Sequence, residues 1–191
     1  MAESYELRKA AARKRSATLN ITGRDIGDLP GVADPARKEA AQDSLQCFLA
    51  TYFPASPALA LEDLLRAEAG VRGGLLTAPG EVACPAVLWA LLFGSRRHVV
   101  LLAKDETSAR TLIDDLKREL VDGDLLLEDF PEVCYPLTQR RRIPGWSKNA
   151  IVLPETPGSA ASGATVRAMS PRDRIAGLLE PRPDLIAIVV D

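Results

Sequence analysis

The chain holds a single histidine, His98, set beside an apolar run. It has no second histidine to share a metal ion and no triad setting, so histidine-based catalysis is not expected. Cysteine is equally sparse: Cys47, Cys84 and Cys134 are odd in number and far apart. That excludes a disulfide framework and a CxxC metal clip, and leaves buried free thiols as the expectation. Long hydrophobic runs are missing too. The longest extends only from Val82 to Phe93 and contains Pro85, well short of the ~20 residues that cross a bilayer. The N-terminus opens on Glu3, Glu6, Arg8 and Lys9 without an apolar stretch behind them, unlike a secretory signal. A cytoplasmic protein with no membrane contact is expected. Charge of one sign is also lacking, since the net charge is −2. Any contact with nucleic acid must therefore come from local patches, of which there are two: Arg8 to Arg15 and Arg140-Arg141-Arg142.

What is present is a globular composition, 47% hydrophobic and 26% charged over 191 residues, enough for one substantial core. A basic arm at 3–19 and a turn at 23–30 lead to Asp34-Pro35, a capping side chain followed by a proline at the first helical position. Ala41, Leu45, Phe48, Leu49 and Tyr52 then recur at helical spacing up to Pro54. A second helix is predicted from Ala58 to Ala69, ended by Gly70. After Gly73 the pattern changes. Residues 73–78 read as a buried strand, Pro85 to Phe93 as a helix, and His98 to Ala103 as a strand. Thr107 or Ser108 is the expected cap of a helix through Leu120. Asp129 to Gly145, with three prolines, reads as turns. Residues 149–153 and 164–169 read as an antiparallel strand pair, 171–179 as a short helix, and 184–191 as an apolar strand closing on Asp191. Unalternating strands separated by helices point to an α/β fold with a parallel sheet.

An apolar strand ending in an acid suits a Mg²⁺-holding role at the carboxyl end of a parallel strand, the Walker B arrangement. Its partner would be a glycine-rich, lysine-bearing loop between an early strand and a helix. The location is right at Pro79-Gly80, but the chemistry is not. After Gly80 come Glu81, Val82, Ala83, Cys84 and Pro85, and no lysine occurs between Lys38 and Lys104. No Ser or Thr opens the helix to hold Mg²⁺. A carboxylate ~4 Å from a phosphate costs on the order of 4 kcal/mol per unit charge at an effective dielectric near 20, roughly a thousandfold in affinity.

Six phrases together resemble bacteriophage terminase large subunits. They are Gly23-Arg24-Asp25-Ile26-Gly27 with Val32-Ala33-Asp34-Pro35; Thr51-Tyr52-Phe53-Pro54; Leu88 to Gly94 with Arg96-Arg97; Leu127 to Pro136; Ile151 to Pro154 with Pro157-Gly158-Ser159 and Ala161 to Ala164; and Arg182-Pro183-Asp184-Leu185. The resemblance implies a P-loop NTPase-like fold of the DNA-packaging motor type. Residues 1–70 would be a helical arm and lead-in helices, and residues 71–191 a truncated ATPase domain. In such relatives the Walker A loop is intact, and the chain continues past the position of Asp191 with a second acid, a coupling motif and a nuclease domain. The resemblance further implies ATP and Mg²⁺ as ligands, and DNA, a small terminase subunit, a portal and further copies of the chain as partners. The setting would be a bacterial host's cytoplasm, with a phage or prophage gene. Residue by residue, Asp191 keeps the Mg²⁺ role and Pro79 and Gly80 a vestigial nucleotide-binding one. Arg140, Arg141 and Arg142 are the candidate DNA contacts. Arg96-Arg97 are expected to cap the helix before them, and Trp89 to be core. The expected outcome is a chain that does not hydrolyse ATP by itself. The alternative is a regulatory module, or a decayed prophage product, that docks on an intact terminase or portal.

Overall fold

The computed structural model describes residues 29–54, 60–138, 145–171 and 182–190. The basic arm at 3–19, the Gly23 to Gly27 phrase, the arginine run 140–142, the helix expected at 171–179 beyond its first residue, and Asp191 lie outside them. The chain divides after Pro30, and Gly31–Asp191 forms one compact unit.

Helix α1 (Pro35–Gln42) starts as its sequence dictates, with the Asp34 carboxylate accepting from the Arg37 N–H at 2.9 Å. The single amphipathic helix expected through Tyr52 is instead two. Ser44 adopts an extended conformation and its hydroxyl accepts from the Cys47 N–H, starting α2 (Leu45–Tyr52) afresh. The apolar stripe survives the break, because Ala41, Leu45, Phe48, Leu49 and Tyr52 are all buried. Helix α3 (Leu61–Gly73) runs past Gly70 and stops at Gly74, whose φ of 82° supplies the left-handed cap. Gly70 serves packing instead: a Cβ there would lie 2.8 Å from the Leu75 carbonyl oxygen.

Strand β1 (Leu75–Pro79) passes directly into α4 (Gly80–Leu92). Every residue of α4 from Val82 to Leu92 is buried, as befits a helix apolar on all sides. After β2 (His98–Leu102), the long helix α5 (Glu106–Asp122) is capped by Asp105 rather than by Thr107 or Ser108, its carboxylate accepting from the Ser108 N–H at 2.8 Å. A short helix not expected from the sequence, α6 (Asp124–Asp129), follows, and the stretch read as turns begins with another, α7 (Pro131–Thr138). Of its prolines, Pro131 occupies the first helical position, where a missing N–H costs nothing, and Pro136 is accommodated inside the helix.

Strands β3 (Ala150–Val152), β4 (Thr165–Met169) and β5 (Leu185–Val190) complete a mixed, mostly parallel sheet in the order β1-β5-β2-β4-β3. The antiparallel pairing of β3 with β4 sets Ile151 opposite Val166, as expected. Strand β5 threads between β1 and β2, with Ala187 in register with Leu76 on one side and Leu101 on the other. Leu76, Ala187, Leu101, Val166 and Ile151 are buried in one core with α2, α3, α4 and α5. The fold is α/β, a mostly parallel five-stranded sheet flanked by helices.

Candidate functional site

Three parallel strands that lie side by side bring their carboxyl ends together, which is where open α/β sheets bind ligands. Here the ends of β1, β5 and β2 border a cleft of about 410 Å³, lined by Pro79, Gly80, Glu81, Ala103, Lys104, Thr107, Ser108, Thr111, Leu112, Val189 and Val190. Of the residues singled out from sequence, Pro79 and Gly80 stand in this cleft. Asp191 would follow Val190 but is outside the described residues, as are Arg140, Arg141 and Arg142.

The β1 side of the cleft does not fit a triphosphate. No residue separates the end of β1 from the start of α4, so no loop exists to wrap phosphates. A Cβ on Gly80 would come within 3.3 Å of Leu112 Cδ2 and 3.6 Å of Val189 Cγ1. The helix thus packs closely against the neighbouring side chains at the very point where a cradle would open. Glu81 puts a carboxylate in the first helical turn, meeting the helix dipole with the protein's own negative charge.

The opposite wall supplies what the sequence reading missed. Lys104 lines the cleft from the end of β2, together with the hydroxyl-bearing Thr107, Ser108 and Thr111 of α5. Sequence reasoning sought a cation just after β1, whereas this one comes from the end of β2, on the far side of β5. The available signal was its place just beyond an unbroken apolar strand. Asp105, beside it, turns its carboxylate to the helix, and the Ser108 N–H holds it below the usual carboxylate range.

A second groove of about 600 Å³ shares Gly80, Glu81 and Leu112 with the first and continues between α2, α4 and α5. Tyr52, Phe53, Pro54, Pro85 and Leu88 give it apolar surface, and Asp115, Arg118, Glu119 and Cys84 complete it. Burial pushes the Cys84 thiol up to about 12, helped by Asp115 and Glu119, so the sulfur is a neutral thiol rather than a nucleophile. Burial also raises the Glu119 carboxyl; Asp115 and Asp122 add to this and Arg118 opposes it.

The family-like phrases meet one another, four of them around a buried carboxylate. Asp129 is wholly buried and accepts from Arg37 Nε at 2.6 Å and Nη2 at 2.7 Å. The Tyr52 hydroxyl donates to it at 2.7 Å, and the Asp34 N–H at 3.3 Å. Burial alone would raise this carboxyl, but the hydrogen bonds from Arg37 and Tyr52 outweigh it and hold the group below its usual range. Rings of the same phrases stack beside it, with Phe93 and Phe130 centroids 5.2 Å apart and Tyr52 and Phe130 5.8 Å apart. The remaining phrases close the sheet ends. The Asp184 carboxylate accepts from the backbone N–H groups of Arg97 and His98 at 2.7 and 3.0 Å, and Arg97 donates to the Ser162 carbonyl.

Several single residues settle into structural roles. Trp89 is core, its indole N–H donating to the Ala41 carbonyl at 3.0 Å. Arg96 does cap a helix end, but that of α3 rather than α4: its side chain donates to the Val71 and Arg72 carbonyls. Cys84 and Cys134 are buried, whereas Cys47 is exposed, because it falls on the outer side of α2. Among the described residues no helix is long and apolar enough to cross a membrane. No protein-family model, curated protein or solved structure matches this chain.

Proposed function

We propose that the chain is a terminase large subunit-like protein, related to the ATPase part of a viral DNA-packaging motor, that does not hydrolyse ATP by itself. The observation that carries this reading is the junction of β1 with α4. It lies at the carboxyl end of a parallel strand, next to β5, where a nucleotide-binding loop belongs, yet it has no loop and no lysine and carries Glu81. Support for the ancestry comes from the phrases themselves, since four of them converge on Asp129 and its aromatic neighbours. In this reading ATP and Mg²⁺ are the ancestral ligands, with Asp191 the former Mg²⁺ ligand. DNA, a small terminase subunit and a portal are the ancestral partners.

The same junction favours a second reading, in which the chain is a non-catalytic module that docks on an intact terminase or portal. A steady-state phosphate-release assay on the full chain, with Mg²⁺ and with and without double-stranded DNA, tests the main claim. Release at the background rate is expected. Sustained turnover that Asp191→Ala abolishes would overturn it. Co-purification with a terminase or portal protein distinguishes the docking module from a decayed remnant.

A further inference from the structure

We draw no further inference here: the strongest candidate, the apolar sheet face on which Leu75 of β1 and Ile188 and Val190 of β5 stand exposed, carries none, because nothing in the structure shows what covers it.

Discussion

Asp129 is the residue on which the lead-in helix α1 and the sheet domain depend jointly. Its carboxylate has no exposure, and both of its oxygens are held by Arg37 while Tyr52 donates to one of them. Removing one member of a buried pair strands the other. Arg37→Met is therefore expected to cost about 3 kcal/mol, the low end of the 3–5 kcal/mol range for such losses, because Arg37 is 25% exposed and Tyr52 still donates. Urea denaturation at neutral pH measures it. The pH dependence gives a sign as well as a size. In the native chain the folded carboxyl lies below its unfolded value, so the stability it contributes is present above about pH 4 and is lost as the pH falls through the folded value. In Arg37→Met, burial dominates and raises the carboxyl instead, so this group's contribution should then be lost as the pH rises. A variant whose stability fell on acidification just as the native chain's does would contradict the assignment. The sequence showed Asp34-Pro35 as a helix start, and the structure keeps it. It could not show that Arg37 and Asp129, 92 positions apart, form a pair, because nothing local marks a long-range contact.

Among the elements, what was legible followed periodicity and what was not followed competition. Strands β2 and β5 read correctly because an unbroken apolar run has few alternatives. Helix α5 was found, but its cap was misplaced, since Asp105, Thr107 and Ser108 all lie near the helix start and only the backbone conformation decides among them. Helix α7 was missed because its prolines were counted without regard to where in a helix they fall, and α6 because its six residues are too few to show a helical period. Glycines divide in the same way. Gly70 was read as a helix stop but is needed for close packing on β1, while the actual stop is Gly74. Gly94, after α4, has a φ of 69°, and a Cβ there would lie 2.8 Å from both the Cβ and the carbonyl oxygen of Ala160. Gly94→Ala should thus lose about 1–2 kcal/mol to the left-handed backbone alone, with overpacking added. A thermal melt within a degree of the native chain would show that the turn after α4 is built differently.

For the whole molecule, strand order decides which residues share a site. Adjacent parallel strands were expected at 73–78, 98–103 and 184–191, and they are neighbours, which puts Pro79, Gly80, Lys104 and Val190 around one cleft. Lys104 was overlooked because the search for a cation stayed within the loop after β1, although the sheet brings the end of β2 to the same place. The second groove was invisible in sequence, as it is assembled from α2, α4 and α5. The cleft depends on β5 lying between β1 and β2. The most direct check is a nuclear Overhauser spectrum of the isotopically labelled chain, read at Ala187. Cross-strand contacts from Ala187 to both Leu76 and Leu101 are predicted, as the register requires. Contacts to only one of them, or to β4 in place of either, would contradict the sheet order and remove the cleft with it.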